Sequence, residues 1–216
     1  MELDVARAAA LSLVVGGVAG LLVAERRRFR PALWATKPGA SAGLVLLALA
    51  GGAPDASWAR WVVVGLALSF VGDLLLIPAS QRVFRAGIAA FLLAHVAYVV
   101  AFVAHGVAWP WVLAAASALV APGWLVARRL LPRVPRPLFR AVGAYMVVIS
   151  AMVAAAAGAV GAGAPPWVLA AAVAFYVSDL AVARHRFVVE AYVNRAVGLP
   201  LYYGAQVAFA WWALGA

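Results

Sequence analysis

Apolar residues run along this chain in long stretches broken by arginines, glycines and prolines. The stretches cover roughly 5–24, 38–54, 58–77, 86–105, 109–127, 139–160, 166–183 and 191–214. A helix needs about 20 predominantly apolar residues to cross the hydrocarbon of a bilayer. The pattern therefore predicts about eight transmembrane helices, the second being the shortest. The links between them are too short to hold a soluble domain. Residues 1–216 read as one integral membrane domain, an all-α polytopic helix bundle.

The basic residues test that count. Fifteen of the 17 Lys and Arg side chains fall at the links that follow the odd-numbered helices. They are Arg26, Arg27, Arg28, Arg30 and Lys37, then Arg82 and Arg85, then Arg128, Arg129, Arg133, Arg136 and Arg140, then Arg184, Arg186 and Arg195. Only Arg7 and Arg60 lie on the other side. Positive charge stays cytoplasmic, which places both termini outside. A wrong number of helices would scramble the alternation. Trp58, Trp61, Trp109, Trp111, Trp167, Trp211 and Trp212 fall near the outer ends, as an interfacial aromatic belt does.

Composition narrows the class further. The chain is 68% hydrophobic and 11% charged, against roughly a quarter charged in soluble domains. A net charge of +10 would suit a nucleic-acid binder. Here the arginines lie where topology and anionic headgroups require them, and no basic module with interleaved aromatics accompanies them. No nucleic-acid partner is expected; the partners are membrane lipids, and nothing signals an oligomeric state. The absence of cysteine excludes disulfides and thiol chemistry. Glu2 and Asp4, rather than a basic segment, precede the first apolar run, so no cleavable signal peptide is expected. The Ala- and Arg-rich usage points to a bacterium of high GC content, hence to an inner (plasma) membrane.

Two acids stand out against this background. Asp73 and Asp179 lie inside apolar stretches, in the similar pentapeptides Phe70-Val71-Gly72-Asp73-Leu74 and Tyr176-Val177-Ser178-Asp179-Leu180. A carboxylate at mid-membrane costs roughly 2.5–3.5 kcal/mol on insertion scales. The two acids belong to the third and seventh helices, which run in the same direction. The helix after each carries a polar pair spaced i, i+3: His95 with Tyr98, and Tyr203 with Gln206. A parallel four-plus-four repeat about an axis along the membrane normal is thereby suggested. Both acids are expected roughly 6–8 Å inside the cytoplasmic boundary, with Lys37 opening the second helix nearby and Tyr145 a short way into the sixth. These groups are expected to converge on a polar cavity open to the cytoplasm and sealed outside, since the outer halves of most helices are almost purely apolar.

The residue types allow several chemistries. Two buried carboxyls that perturb one another can hold a proton on one and accept a proton on the other, the requirement for general acid–base catalysis. A buried acid held by an arginine or a helix end is the structural alternative. With His95 the pair also makes a two-Asp-one-His set of the kind that binds metals. No His-x-x-x-His or similar spacing supports it, and neither a metal nor another cofactor is expected. His95 alone could be a hydrogen bond between helices. His105 and His185 fall at opposite boundaries and are expected to be solvated. Lys37, the only lysine, is either a snorkelling topology charge or a point charge for a phosphate, a role Arg82, Arg85, Arg184 and Arg186 could share. Tyr98, Tyr145, Tyr203 and Gln206 are candidate hydrogen-bond donors in the cavity, and Asn194 a cap or an entrance residue. Ser178 is kept as a substrate-binding candidate. It diverges from Asp179 by about 100° on a helix, which argues against a Ser-His-Asp triad.

Taken in order, Lys37-Pro38, Gly72-Asp73, the Phe91…His95…Tyr98 face, Ser178-Asp179 followed by Phe187, and Tyr203…Gln206 resemble the lysoplasmalogenase (YhhN-like) membrane family over nearly the whole chain. The resemblance implies hydrolysis of the vinyl ether bond of lysoplasmalogen-type lysophospholipids to a fatty aldehyde and a glycerophospho-base. It implies catalytic roles for Asp73 and Asp179, with Lys37, His95, Tyr98, Tyr203 and Gln206 lining the site. A more distant likeness to alkaline-ceramidase-type hydrolases lacks their zinc-histidine pattern. Vinyl ether hydrolysis needs a proton donor, an anion near the developing cation and a base for water, which two aspartates can supply. Paired membrane acids also relay protons, so a proton-coupled small-molecule or lipid transporter is the alternative.

Overall fold

Each apolar run becomes a helix. The computed structural model describes residues 2–52 and 54–215, except for the side chain of Glu2. Glu2, used in the signal-peptide argument, and position 53, inside the second expected span, therefore lie wholly or partly outside the described residues. The helices are α1 (Glu2–Arg27), α2 (Arg30–Leu49), α3 (Ser57–Leu75), α4 (Gln81–His105), α5 (Trp109–Leu130), α6 (Arg136–Gly161), α7 (Pro166–Phe187) and α8 (Tyr192–Leu214). A short 3₁₀ turn, Leu131–Arg133, joins α5 to α6. No strand occurs among the described residues.

Seven of the eight helices are long and apolar enough to cross a membrane. The exception, α8, is long enough; its polar side chains include Tyr192, Asn194, Tyr202, Tyr203 and Gln206. Four of those five side chains are buried, so the polarity of α8 faces the interior of the bundle.

The helices extend past the expected boundaries, mostly at the basic end. Arg26 and Arg27 close α1, Arg128 and Arg129 close α5, and Arg184, His185 and Arg186 close α7. Cations in a last turn face the negative end of the helix dipole and stabilise it, so an arginine cluster does not stop a helix. Helix starts follow proline instead: Pro31, Pro110, Pro137 and Pro166 sit in first turns, where the missing N–H is no loss. The second span needs the largest correction. It begins at Arg30, not at residue 38, and Pro38 lies inside it. Lys37 therefore projects from the second turn of α2 instead of opening the helix.

The packing follows a cycle. Helices α2, α3, α4, α6, α7 and α8 touch in that order, and α8 closes onto α2. α1 lies outside against α2 and α8, and α5 lies outside mainly against α6. Leu130 is the one buried residue of α5. In each half the first helix is peripheral, and the last helix meets the second helix of the other half (α4 with α6, α8 with α2). The arrangement follows the four-plus-four division.

Small residues set the closeness of α1 and α2. A Cβ at Gly43 would come 2.8 Å from the carbonyl oxygen of Ala10. That backbone atom has no rotamer through which to escape. Gly43→Ala is expected to lower stability by about 1–3 kcal/mol through overpacking, read as a drop in melting temperature in detergent. Gly16→Ala, on α1 with nothing within 4 Å of its Cβ, should not show the drop.

The aromatic belt is only partly present. Trp61, Trp109, Trp111, Trp167 and Trp211 are exposed. Trp58 and Trp212 instead turn inward and stack at 4.2 Å between ring centroids. His105, expected to be solvated, is half-buried and lies against both rings, at 5.3 and 5.2 Å.

Candidate active site

A cavity of about 130 Å³ opens toward the basic end between α3, α4, α6, α7 and α8. Its wall is mostly apolar, with Phe84, Ile88, Val142, Met146 and Ile149 on one side. Its polar groups include Lys37, Asp73, Tyr145, Asp179 and Tyr202. The two acids thus share one hollow, although their helices end differently. Asp73 is two residues from the end of α3, whereas Asp179 is eight from the end of α7. Asp179 is the farther of the two from its helix end because α7 runs on through its terminal arginines.

Asp73 is satisfied from three sides. Lys37 Nζ lies 3.0 Å from Oδ1. The Ser41 hydroxyl donates to Oδ2 at 2.6 Å and the Tyr202 hydroxyl at 2.7 Å. Tyr203 OH lies 3.1 Å from Ser41 Oγ and can pass its hydrogen into the same chain. The carboxyl is 3% exposed. A buried carboxylate is tolerable when paired with a cation and fully hydrogen-bonded, and Asp73 meets both conditions.

Asp179 is placed differently. Tyr145 OH donates to Oδ2 at 2.6 Å, and His95 Nε2 lies 3.4 Å from the same oxygen. The side chain is 18% exposed and faces the cavity. His95 itself is buried between the rings of Tyr145 and Phe175, with Nδ1 2.7 Å from the carbonyl of Phe91. No group of three or more His, Cys, Asp or Glu among the described residues is placed to hold a metal ion.

The two arrangements correspond. Asp73 on α3 is held from α2 and α8; Asp179 on α7 is held from α6 and α4. Each acid thus leans on the helix before its own and on the last helix of the other half.

A model of the YhhN family matches residues 32–212. The chain belongs to the YhhN family. No curated protein and no solved structure matches it. Seven apolar helices and this membership make the chain an integral membrane protein.

In this YhhN-family chain the sequence candidates separate into two layers. Lys37, Asp73, Tyr145, Ser178 and Asp179 line the cavity, but the Ser178 hydroxyl is bound to the carbonyl of Phe175 in its own helix. Tyr98, Tyr203 and Gln206 stand behind the wall. Tyr98 donates to the side-chain oxygen of Gln206, joining the polar pairs of the two halves. Asn194 binds Arg184 and the carbonyl of Val189, tying the α7–α8 turn at the cavity edge. Lys37 is paired with Asp73.

Two residues that hold Asp73 were not anticipated. Ser41 lies four residues after Lys37, and Tyr202 four before Gln206, so each shares a helix face with a chosen residue. That spacing was the available signal. Above the cavity lies a wider basin of about 780 Å³ that shares Lys37, Phe84, Arg186 and Arg195 with it. Arg26, Arg28 and Arg30 also face the basin. Of the arginines expected to receive a phosphate, only Arg186 lies there; Arg82, Arg85 and Arg184 do not. Arg186 rests on the ring of Phe84 at 4.4 Å, where the polar basin meets the apolar hollow.

Proposed function

We propose that this protein is a membrane hydrolase of the vinyl ether bond in lysoplasmalogen-like lysophospholipids, releasing a fatty aldehyde and a glycerophospho-base. Its main support is one observation: Asp73 and Asp179 line the same largely apolar cavity beneath a basic basin. A single-chain amphiphile fits that order of surfaces. Its alkyl chain lies against Phe84, Ile88, Val142, Met146 and Ile149. Its phosphate sits among Arg28, Arg30, Arg186 and Arg195, where charge-assisted bonds are strong. The linkage between them then falls beside the acids. By the positive-inside rule the basic end faces the cytoplasm, so substrate enters from the inner leaflet.

The chemistry needs little else. Protonation of the alkene carbon gives an oxocarbenium ion, water adds, and the hemiacetal collapses. A preformed polar wall in a water-poor site stabilises the charge that develops.

The test uses purified protein in detergent and a panel of lysolipids joined by vinyl ether, alkyl ether or ester bonds, with and without a chelator. Aldehyde should form from the vinyl ether alone. Release of fatty acid from the ester, with no aldehyde, would replace this function with an esterase. Loss of the rate on chelation would hand the chemistry to a metal. No turnover, together with proton-coupled uptake by reconstituted vesicles, would replace the enzyme with a transporter.

A further inference from the structure

The two acids do not have the same hydrogen-bond neighbours, and the difference assigns their roles. Asp73 receives three donors, one of them the Lys37 ammonium. Lysine has only donors to offer, and the two hydroxyls satisfy Oδ2. The carboxyl of Asp73 needs no hydrogen of its own and has none to give.

The surroundings of Asp179 require one. His95 Nδ1 faces a backbone carbonyl at 2.7 Å. A carbonyl only accepts, so Nδ1 carries a hydrogen. Nε2 is buried, faces Asp179 Oδ2 at 3.4 Å, and has no hydrogen-bond partner among the described residues. If Nε2 were bare and Asp179 ionised, two acceptors would face each other with nothing between them. One proton must lie in that contact. It lies either on the carboxyl, leaving the imidazole neutral, or on the imidazole, making a buried ion pair. A neutral pair avoids the desolvation of two charges. Tyr145 can still donate to Oδ2, which keeps a lone pair when it carries a proton.

We infer that Asp179 is the neutral acid of the pair and the proton donor of the reaction, that His95 is the positioning residue that accepts the Asp179 hydrogen in the resting site, and that Asp73 is a fixed carboxylate. The inference rests on the proposed hydrolysis for its substrate, but not for its protonation state. In the reaction, the Asp179 O–H bond breaks as the alkene π electrons form a C–H bond at the carbon remote from oxygen. The oxocarbenium ion then stands beside the new Asp179 carboxylate. Water bonds to the carbon next to oxygen and returns one proton to Asp179. The hemiacetal transfers its hydroxyl proton to the glycerol oxygen as the C–O bond breaks. One water is consumed, and the enzyme ends as it began.

The proton is visible without substrate. Infrared difference spectra of the purified protein, in light and heavy water, should show the carbonyl stretch of a protonated carboxylic acid. Asp179→Asn should remove that band, and Asp73→Asn should leave it. Asp179→Glu should keep a band at a shifted frequency, which covers the case that the Asn variant does not fold. His95→Phe should move the band to higher frequency, because the acceptor of its hydrogen is gone. Absence of the band in the wild type, or its loss in Asp73→Asn, would overturn the assignment. An unshifted band in His95→Phe would remove His95 from it. Failure to find aldehyde in the lipid panel would leave these spectra standing and would refute only the proposed reaction.

Discussion

Asp179→Asn is expected to lower aldehyde release by about 10²–10⁴-fold, the usual contribution of a positioned general acid, while the protein stays folded. The amide is nearly isosteric with the carboxyl. Its oxygen can still accept from Tyr145, and its NH₂ can donate to the bare Nε2 of His95, the two contacts Asp179 makes. No buried group loses its partner, so the melting temperature should hold. What is lost is a proton that can move to carbon. Because that proton is needed only in the transition state, kcat and kcat/KM should fall together, with KM little changed. Substrate binding, measured separately with a non-hydrolysable alkyl ether lysolipid, should be retained. Turnover within a few-fold of the wild type would remove Asp179 from the chemistry.

The contrast between the acids shows how far a sequence of this kind can be read. The number and order of the helices were legible. Hydropathic runs flanked by arginines are strong signals, and the alternation of charge checked the count. The ends of the helices were less so. Arg184, His185 and Arg186 looked like a break, yet they complete α7 because a helix C-terminus welcomes cations. Lys37-Pro38 looked like a beginning and proved to be the middle of α2, since Pro31 had already opened the helix.

The site was legible in its charged members and not in its neutral ones. Asp73, Asp179, Lys37 and His95 are conspicuous because charge or potential charge in hydrocarbon is costly. Ser41 and Tyr202 are ordinary in a membrane helix, and only the packing of α2 and α8 against α3 reveals that they bind Asp73. The pairing of His95 was equally hidden. It sits on α4, which packs on α3, yet it faces Asp179 on α7. Pairing across helices depends on rotation about each axis, which a single sequence of Ala, Val and Leu leaves undetermined. The four-plus-four comparison came nearest to it. It matched His95 and Tyr98 with Tyr203 and Gln206, and the structure joins Tyr98 to Gln206.

Lys37→Met is expected to cost about 3–5 kcal/mol, the usual penalty for removing one partner of a buried ion pair. Lys37 is 12% exposed and Asp73 3%, so water can do little to screen the stranded carboxylate. Ser41 and Tyr202 would remain as donors but bring no positive charge. For a chain of this length the loss corresponds to a fall on the order of 10 °C in melting temperature. A second substitution separates the pair from the rest of the site. Asp73→Asn in the Lys37→Met background removes the charge that the first change strands, so the double variant should melt above Lys37→Met alone. Recovery of that kind is the non-additivity expected of contacting residues. A lysine serving only as a headgroup charge would behave otherwise. Lys37→Met would then raise KM and leave the melting temperature in place, and the double variant would gain nothing. Unfolding in detergent, followed for the wild type, both single variants and the double, decides between an internal counter-ion and a surface anchor.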